Sequence, residues 1–249
     1  MIGRMRGWAR QQAGAGLALL AAAALAAAVG TMKAWAQDEV DTALIVSVDV
    51  SNSVDAHRYK LQMEGIAKAL EDPEVIQIIT AGAKGGILFS MITWADRPRM
   101  AIPWKRITSA EDAAEVARIV RTLPQQGGEF TCVANMLRTV ADKVVTQIPA
   151  ETTRIVVDVS GDGKENCNPD EAAQAARQEL LDSGVTINGL PILEGDTGPS
   201  LEDWYRENVV GGPGHFVLSA AGFEDFARAI RQKFIVEISG REVDTRSPG

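Results

Sequence analysis

Two short apolar runs constrain this chain more than any other feature of it. Ala43–Val50 (ALIVSVDV) and Arg154–Ser160 (RIVVDVS) are nearly continuous in aliphatic and β-branched residues. A strand with one face in water alternates apolar and polar residues. A strand that does not alternate is covered on both faces, as in a parallel sheet between two layers of helices. Each run also ends in small oxygen-bearing residues: Asp49-Val50-Ser51-Asn52-Ser53 after the first, Ser160-Gly161-Asp162-Gly163 after the second.

The segments around these runs alternate between the two periodicities. Ser53 or Asp55 opens a helix through Leu70, with Tyr59, Met63, Ile66, Ala67 and Leu70 on one stripe. Gly86–Trp94 and Arg99–Trp104 read as an antiparallel pair joined by the turn Asp96-Arg97-Pro98. Ala110–Leu123 and Thr131–Gln147 are amphipathic helices, and Asp170–Ser183 is a helix stopped by Gly184. Val185–Leu190 is a strand, Leu201–Asn208 a short helix, His215–Leu218 a short strand and Phe223–Ile238 a closing helix. Strands separated by helices predict a doubly wound α/β sheet with helices on both faces. Trp204 and Tyr205 are expected in the core, and Gly211-Gly212-Pro213-Gly214 is expected to turn.

The first 36 residues read as an address. Met1–Arg10 is cationic, Ala13–Gly30 is an apolar run, and Ala34-Trp35-Ala36 offers small residues where a signal peptidase reads. We expect residues 1–36 to be a signal peptide cleaved before Gln37, residues 37–238 one domain, and residues 239–249 a loose tail. An uncleaved anchor is the alternative, since a run of about 18 residues is near the shortest that spans a bilayer. Export places the protein in the periplasm or outside the cell, touching a membrane only if the segment is kept.

Charge narrows the partners. Residues 1–36 hold four bases (Arg4, Arg6, Arg10 and Lys33) and no acid, so the rest carries 33 acids against 21 bases, a net −12. An acidic body of this kind argues against binding a nucleic-acid backbone. Two histidines and two cysteines are too few for a zinc cluster.

In open α/β sheets, ligands bind beyond the carboxyl ends of the strands, where the winding reverses. Asp49, Ser51 and Ser53 follow the first buried strand, Asp162 follows the second, and Thr131 opens a helix after Gly127-Gly128. Oxygen ligands without imidazole or thiolate suit a hard divalent cation: Mg²⁺, or Mn²⁺ or Ca²⁺. Taken singly, the serines are ordinary helix caps and Asp162-Gly163 an ordinary turn. Placed jointly at two strand ends, they mark a metal site.

Asp-x-Ser-x-Ser, the mid-chain Thr and the later Ser-Gly-Asp-Gly, in that order, resemble a von Willebrand factor type A (vWA) domain with its metal-ion-dependent adhesion site (MIDAS). The likeness covers about residues 41–238 and is greatest to a group of exported bacterial proteins in which Asp-Val-Ser-Gly-Asp-Gly recurs. It implies a six-stranded, mainly parallel sheet with the Arg99–Trp104 strand antiparallel at one edge. It further implies that Ser51 and Ser53 bind the metal directly, Thr131 directly or through water, and Asp49 and Asp162 largely through water. A carboxylate from a partner protein would complete the shell. Asp158 and Ser160 are expected behind the site, and Glu129 beside Thr131 as an acid that tunes ligand charge. If this site forms, Cys132 and Cys167 lie on loops that meet around it and pair in an oxidising compartment. Such a bond would close about 36 residues and stabilise by roughly 3–4 kcal/mol. The expected function is a binding module, not an enzyme. A metal-dependent hydrolase and a structural or sensory domain with an incidental metal are the other readings.

Overall fold

The computed structural model describes residues 39–167, 173–194 and 198–240. The expected signal peptide and all but the first two residues of the expected tail lie outside the described residues. Among the described residues, no helix is long and apolar enough to cross a membrane.

Strand β1 (Glu39–Asp49) is followed by helices α1 (Ala56–Glu71) and α2 (Pro73–Ala81), then by strands β2 (Ile87–Trp94) and β3 (Arg99–Ile107). Helices α3 (Ala110–Thr122) and α4 (Val133–Thr139) lead to β4 (Glu151–Gly161) and α5 (Ala173–Asp182). The chain closes with β5 (Val185–Pro191), α6 (Gly198–Asn208) and α7 (Phe226–Ser239). Sheet order is β3-β2-β1-β4-β5. β1 pairs with β2 in parallel, β4 with β5 in parallel, and only the edge strand β3 runs antiparallel. This is the doubly wound vWA-type α/β fold expected from the sequence.

The two apolar runs are buried on both faces because helices cover the sheet twice. Leu44, Val46 and Val48 of β1 face α1, α3 and α7, where Ile66, Val116 and Phe234 pack. Ile45 of β1 and Val157 and Val159 of β4 face α4, α5 and α6, against Leu137, Ala176 and Tyr205. Between the two layers the strand order reverses, with β1 and β4 side by side at the reversal. Their carboxyl ends, Asp49 and Gly161, therefore share the crevice where this architecture places ligands.

Three departures from the sequence reading have local causes. The sheet has five strands rather than six, because the segment expected as the last strand is reduced to isolated bridges, Gly189↔Val217 and Ile192↔Ala220. Residues 216–220 still bond to β5 through the backbone, with Gly189 N–H donating to Phe216 O and Leu218 N–H to Gly189 O, but as separate bridges rather than a continuous ladder. Helix α2 is an addition to the elements expected from the sequence; Asp72 caps it and Pro73 occupies its first turn. The helix expected over Thr131–Gln147 is α-helical only to Thr139, then continues as a π turn and a 3₁₀ turn.

Candidate metal centre

The chain leaves β1 at Asp49, and Ser51 N–H donates to Asp49 Oδ1 at 2.8 Å. This side-chain turn curls the backbone and brings Ser51 Oγ and Ser53 Oγ to 3.3 Å from each other. Asp55, not Ser53, caps α1, accepting from Arg58 N–H at 2.8 Å. The cap role is thus filled, and the Ser53 hydroxyl instead donates to Asp162 Oδ1 at 2.7 Å, across 109 residues of sequence.

Thr131 completes the set. Its Oγ1 donates to Ser51 Oγ at 3.3 Å. Asp49, Ser51, Ser53, Thr131 and Asp162 are therefore one connected group of oxygen side chains drawn from three loops, the five named from the sequence. Gly163 lets the loops close: a Cβ there would sit 3.1 Å from Thr131 Oγ1, tighter than ordinary contact.

A clasp holds two of these loops together. Cys132 and Cys167 form a disulfide, with Cα atoms 4.9 Å apart. Thr131 N–H donates to Asn166 Oδ1 at 2.8 Å, and Asn166 N–H donates back to Thr131 O at 3.1 Å. Glu165 accepts from Ala134 N–H at 2.7 Å in the first turn of α4 and from Cys167 N–H at 3.0 Å. Asn166 and Glu165 are site residues that the sequence reading lacks. Their only sequence signal is that they lie between Asp162 and Cys167. Asn166→Ala would leave the Thr131 amide without its partner, at a cost of about 1–3 kcal/mol. Denaturant unfolding of that variant is expected to show this loss together with weaker metal binding by calorimetry.

The electrostatics fit a cation. Asp49 is fully buried, and burial pushes its carboxyl up to about 7 against the opposing hydrogen bonds from Ser51. Burial also raises Asp162, while the Ser53 hydroxyl holds it down. Among the described residues no Lys or Arg forms an ion pair with either carboxylate, and Asp49 Oδ2 has no hydrogen-bond partner. Arg58 lowers Asp162 from a distance, and a divalent cation among Ser51, Ser53 and Thr131, with the two aspartates behind, would supply the further positive charge that the buried Asp49 lacks. The converging oxygens are three hydroxyls and two carboxylates, a donor set that suits a hard ion.

The three residues expected around the site differ in fate. Ser160 is buried and donates to Ser47 O at 3.2 Å, tying β4 to β1. Asp158 does not back the site. Strand alternation points it to the opposite face of the sheet from Asp49, where Lys233 Nζ lies 3.5 Å away. Lys233 also meets Glu237 at 3.0 Å, and Asn188 donates to Glu237 at 2.9 Å. This buried ionic cluster fastens α7 to β4 and β5. Glu129 is exposed beside Thr131 and lines a groove of about 520 Å³ with Ser51, Asn52 and Asp55. Phe130, next to it, is the one large apolar side chain exposed among the described residues.

The family model described as "Protein of unknown function (DUF1194)" matches residues 39–242, from the first residue of β1 to just past α7. The chain belongs to the DUF1194 family. Among solved structures, this DUF1194 chain is similar to proximal thread matrix protein 1 of the mussel byssus. The TM-score there is 0.60 at 17% identity, covering 81% of this chain and 49% of that one. A second structure of the mussel protein has a zinc-occupied MIDAS motif, with TM-score 0.61, 16% identity and coverage of 81% and 48%. A von Willebrand factor type A protein from Catenulispora acidiphila matches with TM-score 0.55 at 16% identity, covering 80% of this chain and 43% of that one. The chain thus spans about half the length of the solved structures it matches, and at these identities the likeness establishes the fold alone. No curated protein matches the chain.

Proposed function

We propose that this DUF1194 domain is an exported binding module that holds a divalent cation, in the first place Mg²⁺, and uses it to capture a carboxylate of a partner protein. The observation that carries the reading is the convergence of Asp49, Ser51, Ser53, Thr131 and Asp162 from three loops at the strand-order reversal. The hydroxyl ligands add no charge, so an ion set among them keeps an affinity for one more anionic oxygen. Export is supported by the signal-like residues 1–36 and by the disulfide, which belongs in an oxidising compartment such as the periplasm. The zinc-occupied MIDAS of the mussel protein supports a divalent ion on this fold.

The module reading is favoured over a hydrolase by the surroundings of the two histidines. His57 is exposed and faces Glu224 at 3.3 Å, while His215 contacts Gly212 O at 2.7 Å. Neither hydrogen-bonds a site residue, so neither is placed as a histidine base for a metal-bound water. An affinity capture from exported proteins of the source organism, with and without EDTA and against Asp49→Ala, tests the reading. Metal-dependent capture of one partner supports the module, and metal-dependent turnover of model phosphate or acyl esters supports an enzyme. If neither is seen, the domain is structural or sensory. Thr131→Ala is expected to weaken capture at least tenfold while circular dichroism shows an intact fold; undiminished capture would remove Thr131 from the site.

A further inference from the structure

We propose that Tyr205 is a positioning residue of the cation site, its hydroxyl donating to Asp49 Oδ2 directly or through one water. The inference rests on the cation reading above and extends the site from its three loops to a fourth element, helix α6. Two buried oxygens without a hydrogen-bond partner meet there: Asp49 Oδ2 and the Tyr205 hydroxyl. Each lies 2.9 Å from the position a Cβ on Gly161 would take, so the two are neighbours across a single glycine. Asp49 Oδ1 already accepts from Ser51 N–H. Oδ2 keeps two acceptor positions, enough for an ion-bound water and a phenol together.

The backbone is shaped to admit this ring. Tyr205 lies against β4 and β5 at two glycines, Gly161 and Gly189, and a Cβ on Gly189 would come within 2.8 Å of its Cδ1. Any side chain at either strand position would push the phenol away from Asp49. Packing alone is served equally well by phenylalanine, whereas a fully buried hydroxyl with no acceptor is costly. A partner for that hydroxyl accounts for tyrosine here, and the nearby oxygen that lacks a donor belongs to Asp49. Groups that orient metal-site carboxylates in this way commonly change metal affinity 10–100-fold when removed.

The sequence contains only two tyrosines, Tyr59 and Tyr205, which makes the test direct. The Tyr59 hydroxyl donates to Leu123 O, so it serves as the internal reference. Protein labelled with 3-fluorotyrosine gives two fluorine resonances, assigned with Tyr59→Phe. Titration with Mg²⁺ is expected to shift the Tyr205 resonance, with the same midpoint as the calorimetric binding curve. Tyr205→Phe is expected to weaken Mg²⁺ binding about tenfold, with circular dichroism in EDTA showing an intact fold. If wild-type protein binds Mg²⁺ but the Tyr205 resonance stays still, or if Tyr205→Phe binds equally tightly, this inference falls and the cation site stands. If wild-type protein binds neither Mg²⁺ nor Mn²⁺, both fall.

Discussion

Asp49→Asn is expected to raise the stability of the metal-free domain and to abolish its metal binding. The carboxyl is fully buried, and burial lifts its pKa from 3.8 to about 7. The sign follows from linkage: an acid whose folded pKa is raised binds more protons in the folded state, so stability falls as pH rises. The penalty is absent below pH about 4, grows between about 4 and 7, and is complete above. Every tenfold weakening of an acid on folding costs about 1.4 kcal/mol once the group is ionised, so the charged carboxylate costs the empty site about 4 kcal/mol at pH 8. Asparagine keeps an oxygen for Ser51 N–H while removing the charge. In EDTA at pH 8, Asp49→Asn is therefore expected to melt about 5–10 °C above wild type, for a gain of roughly 2–4 kcal/mol. At pH 4 the difference should largely vanish. Millimolar Mg²⁺ should raise the wild-type melting temperature at pH 8 and leave the variant unmoved, with at least 100-fold lower affinity by calorimetry. Equal stabilisation of both proteins by Mg²⁺ would take Asp49 out of the site.

Opening the Cys132–Cys167 bond is the second large effect. The cysteines are 35 positions apart, and releasing a loop of that size costs about 4 kcal/mol in the chain-entropy account. For a domain of this size, that corresponds to a fall of about 10 °C in melting temperature. Binding suffers separately, because the bond holds the Thr131 loop against the loop that carries Asp162. Without it, an ion must order two segments that are otherwise ordered in advance. The hydrogen bonds of Asn166 and Glu165 remain, so the loops loosen rather than separate. A double Cys132→Ala, Cys167→Ala variant, followed by chemical denaturation and Mn²⁺ calorimetry, is expected to show both the stability loss and about tenfold weaker binding. Unchanged Mn²⁺ affinity in a destabilised variant would reduce the disulfide to a staple with no bearing on the site.

Much of this architecture is legible in local sequence, and the exceptions are instructive. Ala43–Val50 announces a two-sided strand because its apolar residues do not alternate, and the structure buries both its faces. The Asp49-x-Ser51-x-Ser53 spacing announces a curled turn, because a carboxylate two residues before an amide can bond it. Helix α2 is equally legible from Asp72-Pro73, a cap followed by a first-turn proline, but a nine-residue helix gives little periodicity to read. Asp158 misleads for a different reason. Its place between two valines in a strand predicts burial correctly, yet only the packing of α7 against that strand supplies Lys233 and Glu237 as its neighbours.

From sequence alone come the strand character, the oxygen-rich turns and the pair of cysteines, since each is set by interactions among residues a few positions apart. Tertiary structure decided which of these meet. Residues 49, 131, 162 and 205 come together because the strand order reverses between β1 and β4, and that reversal exists only once helices cover both faces of the sheet. It also decided that Ser53 serves Asp162 rather than α1, since the Asp55 carboxylate occupies the cap. The cap is a contact between residues three apart, whereas the partner that Ser53 gains lies 109 positions away and is brought to it only by the fold.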